Sequence, residues 1–267
     1  MNKELVTLAV DVGAESGRVM AMHFDGESLR VDELHRFANG PVDVRGTLFW
    51  DVIGLWREIQ IGIDKGAVLH PASMGVDTWG VDFALLDSQG KLLGNPVHYR
   101  HPCTDGVMER VFEHVSKAEI FNITGIQFSQ INTIYQLMSL VENDSPQLKA
   151  ACTFLIIPDL FNYFLTGVKA NEFSISSTTQ MLSASTGNWA IEILEKLGIP
   201  THIFSEVVPH LVFSFGQMDS EDLYVQNIKT QLFMKDLPSG TTKISLEAAL
   251  QDNLHHASVS ALAFKPL

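Results

Sequence analysis

Cysteine is scarce in this 267-residue chain, with Cys103 and Cys152 the only two. They lie far apart and neither belongs to a Cys-x-x-Cys pair, so neither a disulfide framework nor a zinc site has support. Cys152 sits in an apolar stretch and reads as a small core residue. Basic residues are few as well: 18 lysines and arginines against 31 aspartates and glutamates leave a net charge of −13. No block rich in lysine or arginine breaks that balance. A surface this acidic repels phosphate backbones and anionic lipid heads, which argues against nucleic acid as a partner. An anionic ligand would need backbone N–H groups or a metal ion to hold it. Long apolar runs are missing too, and none approaches the ~20 residues of a membrane-spanning helix. Met1-Asn2-Lys3-Glu4-Leu5 passes straight into a strand pattern without a leader, which fits a cytoplasmic protein. Internal repeats and low-complexity segments are absent.

What remains is core-forming material. Hydrophobic residues make up 46% of the chain and charged residues 18%, as in soluble globular proteins. At roughly 100–200 residues per domain, the length allows one large domain or two small ones.

Leu5 to Val12 is an apolar run that ends in Asp11-Val12-Gly13, a buried strand followed by a tight turn. Gly17 to Phe24 resumes a strand pattern and breaks at Asp25-Gly26, a hairpin signal. Leu29 to Phe37 is the third strand of the meander. Asp51 to Lys65 carries Val52, Leu55, Trp56, Ile59 and Ile63 at helical spacing. Strands follow at Ser73 to Val76 and Val81 to Leu86, then helices at about 105–118 and 132–142. Thr153 to Ile157 is a strand, and a helix runs from Pro158 to Thr166, where Gly167 supplies the C-cap. A last helix spans about 188–197. This order predicts an α/β fold of the ribonuclease H-like kind shared by actin, hexokinase and sugar kinases: a mixed five-stranded sheet with flanking helices. The pattern weakens near residue 213, and only a short helix at 245–251 can be drawn beyond it.

Four segments carry chemistry. In Asp11-Val12-Gly13-Ala14-Glu15-Ser16-Gly17-Arg18 a strand delivers an aspartate to a turn with two glycines. Such a turn can present N–H groups to a phosphate, and the aspartate can hold Mg²⁺ directly or through water. An ordinary β-turn has the same look. No Gly-Lys-Ser/Thr follows, so it is not a Walker A loop, and a strand rather than a helix follows, which excludes the dinucleotide fingerprint. Gly75 to Phe83 places Asp77, Thr78, Trp79, Gly80 and Asp82 at the end of a buried strand. Sugars bind to such mixtures, carboxylates accepting from hydroxyls and an aromatic covering a C–H face; solvated aspartates at a strand end are the bland alternative. Gly125 to Leu137 gathers Gln127, Phe128, Gln130, Asn132 and Tyr135 before and into a helix. They suit a polyol pocket, or equally a helix capped by Asn132 with a packed Tyr135. Asp159, beside Pro158 at a helix start, reads as a capping charge rather than a base.

Together with His35-Arg36-Phe37, Trp50-Asp51 and Pro96-Val97-His98-Tyr99-Arg100, these segments resemble the rhamnulokinase branch of the FGGY carbohydrate kinase family. The resemblance runs from about Val6 to about Pro209. Gly-Val-Asp-Thr-Trp-Gly-Val-Asp-Phe separates that branch from glycerol and xylulose kinases. The resemblance implies phosphoryl transfer from MgATP to the 1-hydroxyl of L-rhamnulose, with a carboxylate taking the hydroxyl proton. It puts Asp11 at the metal and Ala14, Glu15, Ser16, Gly17 and Arg18 beside the ATP phosphates. It puts Thr78, Trp79, Gly80, Asp82, Phe128 and Asn132 around the ketose.

Two departures stand out. The family usually reads Tyr-Arg-Asp-x-Arg-Thr where this chain has Tyr99-Arg100-His101-Pro102-Cys103-Thr104, so a carboxylate and a guanidinium are gone. The family's base is an aspartate in a His-Asp-Thr-Ala-Ser-like loop soon after the segment matching Val207-Val208-Pro209. No such loop follows here. Asp219, Asp222, Asp236 and Asp252 sit in unrelated contexts, and His255-His256-Ala257-Ser258 echoes the loop without its aspartate. The expectation is a sugar-binding domain over residues 1–212 and a divergent, weakly structured tail over 213–267 in place of an ATP-binding domain. No catalytic residue is assigned, and catalysis is expected to be impaired. The alternatives are a non-catalytic sugar- or partner-binding remnant and a related kinase acting on another sugar.

Overall fold

The computed structural model describes residues 4–208 and 213–214. The chain runs through β1 (Leu5–Val12), β2 (Ser16–Phe24), β3 (Leu29–Ala38), β4 (Pro41–Val44), β5 (Thr47–Trp50), α1 (Val52–Ala67), β6 (Ser73–Thr78) and β7 (Phe83–Leu86). It continues through α2 (Val107–His114), α3 (Lys117–Thr124), α4 (Thr133–Glu142), α5 (Pro146–Ala150), β8 (Thr153–Ile156) and α6 (Ile157–Thr166). The remaining elements are β9 (Asn171–Glu172), α7 (Phe173–Ser177), α8 (Ile191–Lys196), β10 (Val207–Val208) and β11 (Phe213–Ser214). The described residues form two compact units, one from those up to Asn39 with Arg57–Asp77 and β11, the other from Gly40–Trp56 and those from Thr78 to Val208. Among the described residues no helix is long and apolar enough to cross a membrane.

The first unit is built on a five-stranded sheet of order β11-β6-β1-β2-β3. β1, β2 and β3 form the expected antiparallel meander. In β2 every second residue, Gly17, Val19, Ala21 and His23, is buried, which is the period of a strand with one covered face. The C-terminal half of α1 lies against that sheet at two glycines one turn apart. A Cβ on Gly62 would stand 2.3 Å from Val19, and one on Gly66 2.7 Å from Leu8, so only glycine permits this approach. β11 pairs antiparallel with β6 and forms the sheet's edge. It follows directly on the expected boundary at 212; the rest of the expected tail, with its helix at 245–251, lies outside the described residues.

The second unit is mostly helical around a buried apolar cluster that includes Phe83, Ile120, Ile134, Tyr135, Leu137, Phe154 and Ile156. β7 and β8 pair antiparallel beneath it. Phe154 stacks on Phe83 at 5.0 Å and meets Phe204 at 5.1 Å between ring centroids. α1 starts in this unit on an Asp51 cap, whose Oδ1 accepts from Gly54 N–H at 3.0 Å. α6 ends as expected at Gly167, with φ 72°.

Several sequence expectations need correction. The strand expected from Val81 begins at Phe83, because Val81 has φ 68° and cannot extend. The helix expected over 105–118 ends at His114, because Ser116 caps a new helix by accepting from Glu119 N–H. The helix expected over 188–197 shortens to α8. Cys152 is exposed rather than in the core.

Candidate functional site

The β1–β2 turn of the first unit is closed by Gly13 N–H donating to Ser16 O at 2.9 Å. Asn39 straps it: its Nδ2 donates to Gly13 O at 2.7 Å and its backbone N–H to Glu15 O at 3.0 Å. Gly17 is required here, since a Cβ would stand 2.2 Å from the Phe37 ring. Asp11 and Arg18 face each other in the strand register and pair at 3.1 Å, both more than a third exposed. The turn's acceptors at Gly13 and Glu15 are engaged, while a carboxylate and a guanidinium sit at its base. That set suits an anion with an accompanying metal, the carboxylate holding the ion and the guanidinium the anion. Among the described residues no group of three or more His, Cys, Asp or Glu could hold a metal by itself. A divalent ion at Asp11 would depend on water and ligand oxygens, which is how Mg²⁺ usually binds.

In the second unit the loop after β6 converges on Asp82, a carboxylate with 0% of its surface exposed. Its Oδ2 accepts from Trp50 Nε1 at 2.5 Å, Trp79 Nε1 at 3.0 Å and Tyr99 N–H at 3.3 Å. Its Oδ1 accepts from Gln136 Nε2 at 3.0 Å. Burial pushes its pKa up to about 6 against the pull of these hydrogen bonds. The two indoles that share Oδ2 lie 4.0 Å apart, and His98 stacks on Trp50 at 3.9 Å. Burial, then the Arg100 charge, hold His98 down to about 4, so the ring is neutral and its Nδ1 accepts from Arg100 N–H.

Of the six residues expected around a ketose, Thr78, Asp82 and Asn132 are buried and Trp79, Gly80 and Phe128 half-buried. Asn132 donates through Nδ2 to Gln127 O at 3.0 Å and to Gln180 Oε1 at 3.3 Å. It occupies the N-cap position of α4 without making a side-chain cap bond. Thr133 Oγ1 and Gln136 Nε2 tie the start of α4 to Val81 O in the loop. Phe128 packs instead on Phe112 at 5.4 Å and Phe121 at 6.4 Å. Thus Asp82 turns inward and organises the indoles, while the surface of Trp79 and Gly80 is what a ligand can reach. Cys103 lies near this centre, its thiol pushed up by burial and, among weaker causes, by the Asp82 charge. A separate depression of about 310 Å³, lined by Val42, Val44, Phe49, Asp51 and Gln147 among others, touches none of the six.

Sequence reasoning did not single out Gln136, Thr178 or Gln180, although all three are central to this network. A run of hydroxyl and amide residues, Ser176-Ser177-Thr178-Thr179-Gln180, stood in the sequence without an apolar period to explain it.

A profile for the FGGY family of carbohydrate kinases, N-terminal domain, matches residues 6–221. The chain belongs to this family. Rhamnulokinase of Oceanobacillus iheyensis is 43% identical over 205 residues, covering 76% of this chain and 43% of that protein. Rhamnulokinase of Halalkalibacterium halodurans is 44% identical over 218 residues, covering 80% of this chain and 46% of that protein. The chain therefore spans less than half the length of these relatives. Among solved structures, gluconate kinase from Lactobacillus acidophilus aligns with a TM-score of 0.67 at 16% identity, over 77% of this chain and 42% of that one. Xylulose kinase from the same organism aligns at 0.66 and 17% identity, over 76% of this chain and 42% of that one. At such identities the likeness is one of fold. It agrees with the ribonuclease H-like architecture expected from the order of elements.

Proposed function

We propose that this FGGY domain supplies the ketose-recognition part of a rhamnulokinase-type reaction, transfer of the ATP γ-phosphoryl group to the 1-hydroxyl of L-rhamnulose. The observation that carries this reading is the identity with rhamnulokinases, 43% and 44%, across a segment that contains the Trp79–Asp82 loop. In that loop a half-buried indole and a glycine lie over a buried carboxylate, which suits a polyol with one C–H face. Trp79 would cover that face, Gly80 would let the sugar approach the backbone, and Asp82 would hold Trp79 in orientation. Asn132 and Thr78 complete the set. Phe128, packed on Phe112 and Phe121, would act only by supporting the segment that leads to Asn132.

For the phosphates, the β1–β2 turn from Ala14 to Arg18 is the natural seat. Asp11 would hold Mg²⁺, which when bound neutralises phosphate charge. The chain's own contribution there is one carboxylate, one guanidinium and a turn whose acceptors Asn39 keeps engaged. We assign no residue of this chain to take the hydroxyl proton. Without such a base, phosphoryl transfer by enzymes of this type typically slows by ~10²–10⁴-fold. The reading therefore expects sugar binding without rhamnulose-dependent ATP turnover by this chain alone.

Calorimetric titration with L-rhamnulose, paired with a coupled ATPase assay, tests both halves. Sugar binding with background turnover supports the reading. No sugar binding would contradict it, and turnover abolished by Asp11→Ala would show that the chain provides its own base. A second reading, a related kinase for another sugar, is favoured by His101 and Cys103 standing where the family usually has Asp and Arg. Tighter binding of a different ketose in the same titration would select it.

A further inference from the structure

The loop between β6 and β7 holds a backbone conformation that its sequence resists. Val81 has φ 68°. Asp82 N–H donates to Gly80 O at 2.9 Å, which closes a three-residue γ-turn centred on Val81. A γ-turn with positive central φ is rare and strained, and a β-branched residue in that region is an outlier. Arg45, His70 and Asp144, which also have positive φ, lack that branching. Gln180, likewise at positive φ and fully buried, faces the same network through Asn132. Strain of this kind persists only where the surroundings over-determine it.

The surroundings do so here through three side chains. Val81 N–H donates to Thr178 Oγ1 at 3.2 Å. Val81 O accepts from Thr133 Oγ1 at 2.6 Å and from Gln136 Nε2 at 3.2 Å. Both polar backbone groups of the strained residue are thus held by side chains from outside the loop. Thr133 and Gln136 lie three residues apart in the first turn of α4, a spacing that puts them on one helix face. Gly80 makes room for the third: a Cβ there would stand 2.8 Å from Thr178 Oγ1. Gln136 also donates to Asp82 Oδ1, the carboxylate whose other oxygen holds Trp50 and Trp79.

We propose that Thr133, Gln136 and Thr178 are positioning residues that hold Val81 in its γ-turn, and that this clamp sets the Trp79–Asp82 geometry that recognises the sugar. Released from the clamp, Val81 relaxes to negative φ, Asp82 leaves its place at the two indole N–H groups, and Trp79 loses its orientation. The proposal rests on the reading of this loop as the ketose site, but the geometry it predicts can be followed without sugar.

Thr133→Val and Thr178→Val remove a hydroxyl with little change of shape. Each is measured by L-rhamnulose calorimetry and by the near-UV circular dichroism of the coupled Trp50–Trp79 pair, with far-UV spectra and thermal unfolding as the check on folding. Loss of one clamp bond should weaken sugar affinity by about tenfold and shrink the tryptophan band. Val81→Gly added to either variant should restore both signals, because glycine adopts positive φ without steric cost. A residue that merely supports the fold would not be rescued by a glycine at a different position. Unchanged affinity and spectrum in the single variants would overturn the proposal, as would failure of Val81→Gly to restore them. Should Thr133→Val not fold, Thr178→Val at the half-buried side of the clamp carries the same test. If the wild type binds no L-rhamnulose, the sugar reading fails, while the spectra still decide the clamp.

Discussion

Replacing Asp159 by asparagine should stabilise this protein at neutral and alkaline pH. Asp159 lies in the first turn of α6 with 1% of its surface exposed. Its Oδ2 accepts from Glu172 N–H at 3.1 Å, while its Oδ1 and the Oδ1 of Asn162 one turn later are both buried without a hydrogen-bond partner. Burial pushes the Asp159 pKa well above the usual carboxylate range, and the Glu172 charge adds to the push, against the opposing pull of the Glu172 N–H and, more weakly, the Asn162 side chain. A proton on Oδ1 would turn that buried oxygen from an unpartnered acceptor into a donor and remove the charge. With the folded-state pKa raised, the contribution to stability is complete below the unfolded value near 3.8. It falls as pH climbs toward the folded pKa, by up to about 1.4 kcal/mol per pH unit. An amide at this position keeps the acceptor for Glu172, supplies the missing donor and never ionises. Relief of one buried unsatisfied polar atom is worth about 1–3 kcal/mol. For a domain of this size each kcal/mol moves the Tm by roughly 2–4 °C. Thermal unfolding followed by circular dichroism at pH 5 and pH 8 should show a Tm gain in Asp159→Asn that is larger at pH 8. A variant that melts below the wild type at pH 8, or that keeps the wild-type pH slope, would refute the reasoning.

The Asp82 centre should titrate visibly. Its carboxyl rises from 3.8 to about 6 in the fold, so its stability contribution is present below 3.8 and lost as pH rises to about 6. The near-UV tryptophan band should change with a midpoint near pH 6 and become flat in Asp82→Asn; His98, held near 4, is no alternative source of that midpoint. Gly62→Ala should destabilise despite a helix-propensity gain of about 1 kcal/mol, because the added methyl meets Val19 at 2.3 Å. Overpacking of that kind costs about 1–3 kcal/mol and would appear as a lower denaturant midpoint at unchanged m-value.

Where one physical signal dominated, the sequence was readable. The β1–β3 meander follows from alternating burial and from Asp25-Gly26, where Asp25 Oδ1 accepts from Glu27 and Ser28 N–H in the turn. α1 follows from its apolar period, and the end of α6 from Gly167. Other elements carry weaker local signals. Ser116-Lys117-Ala118-Glu119 has the capping-box pattern, and the Ser116 hydroxyl cap on Glu119 N–H splits the helix expected over 105–118. Arg45-Gly46, both at positive φ, closes a hairpin of β4 and β5 that no alternation in Pro41–Trp50 announced. The Val81 turn was not legible at all. Valine favours strands, and only tertiary bonds from Thr133, Gln136 and Thr178, up to 97 residues away in sequence, reverse that preference. The candidate site residues are proposed from motif likeness, whereas the contacts each makes are a property of packing: Asp82 is a buried hub, and Trp79 and Gly80 are half-buried.

The central claim, that the Trp79–Asp82 loop and the start of α4 recognise a ketose, is met most directly by hydrogen–deuterium exchange with and without saturating L-rhamnulose. Protection is expected in peptides covering residues 78–82 and 127–136, where Trp79, Gly80, Phe128 and Asn132 lie. No protection anywhere, or protection confined to the depression lined by Val42, Phe49 and Gln147, would contradict it.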